Sequence, residues 1–237
     1  MYKVLFDNDM EFQFYEDVIL EHQLLMKKEI TEKDLQSIQE ANLAYDVYYQ
    51  ALKSLKSRFK SVYEMKLWLL KKEYPEDLIN QAIQKLKSQG YLNDELYAKS
   101  YLNEQLVTTS NGPYKIRRGL LEKKISEDII DEVLENYGEE EQRSKINKII
   151  EKKMKANHNK GGVVLRQKIS LDLKNMGYEI SLINEGLSKF DFSQDASIVK
   201  KEYEKLYRKY SKKYQGVELE TMIKRKLYEK GLTLEEL

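Results

Sequence analysis

The 237-residue chain has no cysteine, two prolines, ten glycines and two histidines. Without cysteine there is neither a disulfide framework nor a thiolate-ligated metal site. His22 and His158 stand far apart in dissimilar contexts, without the spacing of a zinc site. No apolar run approaches membrane-spanning length, and no signal-peptide pattern follows Met1. The expectation is a soluble, cytoplasmic chain with no membrane partner. What remains is 34% charged and dominated by Glu, Lys, Leu and Gln, all good helix formers.

Residues for chemistry are equally sparse. Glu139-Glu140-Glu141 could be read as a metal patch, but three acids at a helix start are far more often a solvated face. Gly161-Gly162 lacks the lysine of a P-loop and the strand of a dinucleotide site, so it reads as a loop. No catalytic residue, cofactor or metal is expected.

The net charge of +1 conceals a pattern. Residues 1–51 carry four bases against eleven acids, and residues 52–72 seven bases against Glu64 alone. Residues 115–124 carry five bases against Glu122, and residues 125–142 eight acids and no base. Residues 143–174 return to ten bases against two acids, and residues 199–214 to seven against two. Basic and acidic blocks alternate along the chain.

A repeat underlies the alternation. Leu69, Leu120, Leu173 and Leu227 align at shifts of 51, 53 and 54, carrying with them Tyr74, Ile125 and Tyr178, then Ile79, Ile130 and Ile183. The last copy, "MIKRKLYEKGLTLEEL", adds Leu232 and Leu237. Apolar residues follow helical spacing within each copy, and such copies bury their faces on one another. The predicted fold is mainly α: an elongated tandem array of three-helix repeats behind a small N-terminal α/β element, a β-hairpin plus helices. The expected divisions are 1–51 for that element, 52–109, 110–158 and 159–214 for three repeats, and 215–237 for a partial fourth. Third helices are expected at 94–107, about 139–156 and about 195–212. Within the first element, strands should flank a turn at Asp7-Asn8-Asp9, and helices should cover 17–31 and 32–55.

"GYLNDEL" at residues 90–96 stops one helix with Gly90 and starts another with the N-cap Asn93. Tyr91 and Leu92 between them are expected to plug the buried corner. Trp68, at helical spacing, is expected in the core.

The corner also carries a resemblance. Gly90 to Asp94, Tyr97 with Ala98, and then Gly112, Pro113 and Ile116 resemble the signature of the RecX family, bacterial regulators of the RecA recombinase. Arg58, Ser61 and Glu64 resemble the Arg-Ser-x-x-Glu that opens its first repeat. The likeness runs from about Arg58 to the end, and four repeats suit the long form of Gram-positive bacteria. The glycine that usually closes the first helix is replaced by Glu73 and Lys124 in the first two repeats and kept as Gly177 and Gly231. Those two corners are therefore expected to be tighter or differently capped.

The resemblance implies a non-enzymatic monomer that binds the RecA filament and its single-stranded DNA. Such a protein would modulate, most often inhibit, recombinase, ATPase and coprotease activities. The alternative is a helical repeat protein that binds single-stranded nucleic acid without RecA, since basic residues interleaved with tyrosines grip phosphates and stack bases. Acidic blocks make a poor surface for bare DNA and favour the first reading. Candidate contacts with RecA or DNA are Arg58, Lys60, Lys66, Lys115, Arg117, Arg118, Lys123, Lys124, Arg166 and Lys168. Leu120 and Leu121 are expected to face inward, leaving Lys115, Arg117 and Arg118 outward.

Overall fold

Thr31 and Ser61 each precede, by three residues, an acid that completes a capping box, and each opens a helix in the computed structural model of the chain. The structure describes residues 1–6, 10–27, 29–157, 162–192 and 196–232. The proposed turn at Asp7-Asn8-Asp9, together with His158, Gly161 and Leu237, lies outside those residues.

Strands β1 (Tyr2–Leu5) and β2 (Glu11–Phe14) are followed by α1 (Glu16–Glu21), α2 (Glu32–Ser57), α3 (Val62–Leu70), α4 (Glu76–Ser88) and α5 (Asp94–Thr108). Then come α6 (Pro113–Glu122), α7 (Glu127–Glu135), α8 (Glu139–Ala156), α9 (Gly162–Asn175), α10 (Ile180–Ser188), α11 (Ala196–Tyr210) and α12 (Gly216–Glu229). The mainly helical class and the N-terminal hairpin are as expected. Packing divides the chain into two compact units: Met1–Tyr101 with Leu120–Ile130, and Leu102–Gly119 with the chain from Asp131 onwards.

In the first unit the hairpin is antiparallel, with Tyr2 opposite Phe14 and Leu5 opposite Glu11. Its face buries Phe14 against Val18, Ile19, Leu24 and Ile38. Helix α1 is shorter than the helix expected over 17–31. Gln23 turns left-handed at φ +50°, and the Leu24 N–H donates back to the Ile19 carbonyl at 3.0 Å. This early stop swings Leu24 into the core, which a continued helix would not do. Tyrosines strap the element down. The hydroxyls of Tyr15 and Tyr74 each donate to Asp46 at 2.6 Å, and that of Tyr49 donates to Asp17 at 2.7 Å. Helices α2, α3 and α4 then enclose Val47, Ala51, Met65, Leu69, Ile79 and Leu86. Trp68 rests half-buried against this core, with the Lys72 Nζ 4.9 Å from its ring centre.

In the second unit α8 packs on α9 and α10, and α11 packs on α12 around Val199, Ile223 and Leu227. The Gly112-Pro113 segment meets the corner after α9 backbone to backbone: the Gly112 N–H donates to the Met176 carbonyl at 2.7 Å, and the Tyr114 N–H to that of Gly177 at 3.1 Å. A Cβ on Gly112 would stand 2.5 Å from the Gly177 oxygen, and one on Gly177 would stand 2.5 Å from the Lys115 nitrogen. Glycine is required on both sides of this contact.

The repeat is visible in the backbone. Glu73, Lys124, Gly177 and Gly231, at the same shifts as the aligned leucines, all have positive φ, from 58° to 88°. At Lys124, Gly177 and Gly231 the next residue's N–H reaches back to Leu120, Leu173 or Leu227, at 2.9 to 3.3 Å. These are Schellman caps closed over the aligned leucines. The expectation of a tighter or differently capped corner is corrected at Lys124, which has the glycine conformation and the same cap despite its Cβ; Glu73 shares the conformation. The residue limits of the repeats remain our proposal. In the packing, α2 joins α3 and α4, adding a helix from before residue 52 to that set.

Candidate interface for protein and nucleic acid

The candidate residues divide by what holds them. Ser61 is fully buried at the head of α3, where its Oγ accepts from the Glu64 N–H and donates to the Lys123 carbonyl at 3.1 Å. Glu64 accepts from the Ser61 N–H at 3.3 Å and pairs with Lys123 at 2.8 Å and, more loosely, with Arg58 at 4.0 Å. Burial pushes the Glu64 carboxyl up, but hydrogen bonds from Lys123, the Ser61 N–H and Tyr97 outweigh it and hold the group below its ordinary value. The Arg-Ser-x-x-Glu residues thus form a joint between the head of α3 and the end of α6. Lys123 is part of that joint.

Other candidates are similarly engaged. Lys60 donates to the Ser54 carbonyl at 3.0 Å and lies 5.7 Å from the Trp68 ring centre. Burial, then the Arg58 charge, lowers its pKa. Lys66 pairs with Glu76 at 2.6 Å, and Arg117 pairs with Asp131. Arg58, Lys115, Arg118, Lys124, Arg166 and Lys168 have exposed positions. Arg58 and Lys124 belong to the first compact unit, and Lys115, Arg118, Arg166 and Lys168 to the second.

The corner at residues 90–94 is built as expected, with one correction. Gly90 is left-handed at φ +75°, and Asn93 Oδ1 accepts from the N–H groups of Glu95 and Leu96 at 2.8 and 3.1 Å. Asp94 reaches across to accept from the Val62 N–H at 2.8 Å, tying the corner to the head of α3. Burial raises the Asp94 carboxyl against the pull of that N–H. Leu92 is 2% exposed, but Tyr91 is 56% exposed. Only one side chain plugs the corner, because the Schellman turn sends two consecutive residues in different directions. Leu121 is likewise 39% exposed while Leu120 is buried.

Tyr91 is therefore a surface residue of the corner that sequence reasoning assigned to the core. Helical spacing did hold the signal for another omission. On α9 the buried stripe is Leu165, Ile169 and Leu173, which leaves Val163 and Leu171 on another face, and both are exposed.

With this geometry in place, comparison with known proteins is informative. The descriptions "RecX, first three-helix domain" and "RecX, second three-helix domain" match residues 48–86 and 93–134. The regulatory protein RecX of Listeria monocytogenes serotype 4a is 33% identical over 217 residues, 90% of this chain and 80% of that protein. That of Halalkalibacterium halodurans is 29% identical over 94% of this chain and 86% of its own length. A crystal structure of regulatory protein RecX superposes with a TM-score of 0.70 at 26% identity, covering 78% of this chain and 92% of that one. RecX from Lactobacillus salivarius does so with a TM-score of 0.60, over 63% and 97% of the two chains.

Proposed function

The chain belongs to the RecX family, and we propose that it is a non-enzymatic regulator that binds the RecA–single-stranded-DNA filament and lowers its recombinase, ATPase and coprotease activities. The observation that carries this reading is the family match across nine-tenths of the chain at 33% identity. Exposed Arg58, Lys115, Arg118, Lys124, Arg166 and Lys168, with Tyr91, are the proposed contacts. Lys60, Lys66, Arg117 and Lys123 are assigned to internal pairing.

Regulation of this kind needs no chemistry. A protein that prefers one filament state over another shifts assembly and ATP turnover by its differential affinity alone. Alternating charge suits a protein groove of both signs better than a uniform phosphate track.

One observation favours the second reading, direct binding of single-stranded nucleic acid. On α11 Tyr207 is exposed, its ring 6.2 Å from that of Tyr203, and Arg208 lines the same surface, paired with Glu204 at 3.8 Å. Bases stack on such rings. Co-sedimentation decides between the two: the protein should pellet with preformed RecA filaments and stay in the supernatant with bare single-stranded DNA at the same salt. Equal pelleting with both would favour the second reading.

A further inference from the structure

On the second compact unit α9 and α10 flank a surface groove that shares only Arg166 with the contacts proposed above. Its α9 wall presents Val163 and Leu171, 69% and 57% exposed, and its base includes the buried Leu187 of α10. Phe192 closes one end, held by close contact with the start of α9: a Cβ on Gly162 would fall 1.5 Å from the Phe192 oxygen. Arg166 and Lys174 line the same groove, eight residues apart on α9, which is about 12 Å along a helix. Among the described residues, no carboxylate lines it.

We infer that this groove docks an acidic segment of a partner protein, anchored by aliphatic side chains. The inference rests on the filament-binding reading only for which protein supplies the segment. Exposed aliphatic carbon beside two cations asks for an occupant that brings both apolar side chains and carboxylates. A nucleic acid offers the charge, but its bases stack on exposed rings, and here Phe192 is half-buried at one end while the exposed apolar wall is valine and leucine. An amphipathic peptide with leucines on one face and glutamates beside them satisfies both demands, in the helix-in-groove manner.

The test uses the full chain and fluorescence anisotropy with three labelled probes: a leucine–glutamate amphipathic peptide, its leucine–lysine counterpart and an oligothymidylate. The acidic peptide should bind and the basic one should not. Leu171→Ser, and Arg166→Glu with Lys174→Glu, should each weaken binding by about tenfold or more, equivalent to about 1.4 kcal/mol. Helical circular dichroism should be unchanged, since all three side chains are exposed. Failure of the intact chain to bind the acidic peptide at roughly millimolar concentration overturns the inference. So does an oligothymidylate that displaces the peptide while Leu171→Ser has no effect, which would make the groove a phosphate track. RecA ATP turnover measured in parallel keeps the two claims separate. Peptide binding without any effect on RecA supports the groove and counts against the filament reading.

Discussion

Glu73 and Lys124 hold φ of +63° and +58° where Gly177 and Gly231 do the same without a Cβ. A left-handed L-residue carries a strain of about 1–2 kcal/mol. Glycine would remove that strain while loosening the unfolded chain by about 0.4–1 kcal/mol. Glu73→Gly and Lys124→Gly should therefore each stabilise by about 0.5–1 kcal/mol in urea titrations. Gly177→Ala should destabilise by at least about 2 kcal/mol, because strain is added to the clash with Lys115. The neighbours Tyr91 and Leu92 make a second contrast. Tyr91→Ala should stay within about 0.5 kcal/mol of the parent, as an exposed site does. Leu92→Ala should cost about 2–5 kcal/mol. The corner itself was legible, because Gly90 and Asn93 announce the stop and the start. Which of two adjacent apolar residues turns inward depends on the cap's bond geometry, which composition does not carry.

At the scale of elements, helix positions followed from apolar period and caps. The third helices expected at 94–107, about 139–156 and about 195–212 are found at Asp94–Thr108, Glu139–Ala156 and Ala196–Tyr210. Helix α1 escaped because its end is set by where Leu24 must pack, a tertiary demand. The charged site was the least legible part. Block charge does not reveal that Lys123 closes the Ser61–Glu64 joint or that Arg117 pairs with Asp131. The tyrosine strap on the N-terminal element yields a pH prediction. The bond to Asp17 and burial push Tyr49 up to about 12, and burial with the bond to Asp46 pushes Tyr74 up to about 12. Both lie above the ordinary tyrosine value near 10. The folded state thus holds these protons more tightly, and the stabilisation is complete below pH about 10 and lost as pH rises toward about 12. Asp46→Asn should move part of the ultraviolet tyrosinate titration down toward pH about 10. An identical titration in the variant would contradict the strap.

The whole molecule is proposed to act as an elongated monomer that lies along a filament. Small-angle scattering should give a radius of gyration well above the roughly 18 Å of a compact chain of this size. A compact particle or a stable dimer at micromolar concentration would contradict it. The functional claim depends on contact with RecA, and the exposed cations of α6 provide the lever. Arg117 must be spared in such a variant, since reversing it would set like charge against Asp131. Lys115→Glu combined with Arg118→Glu should leave the fold intact, exposed charges contributing little to stability. The decisive measurement is ATP turnover by the cognate RecA on single-stranded DNA as this protein is titrated in. The account predicts that the parent chain suppresses turnover and that the folded double variant has lost most of that suppression. Turnover that stays unchanged at saturating parent protein, with no protein bound to the filament, would contradict it.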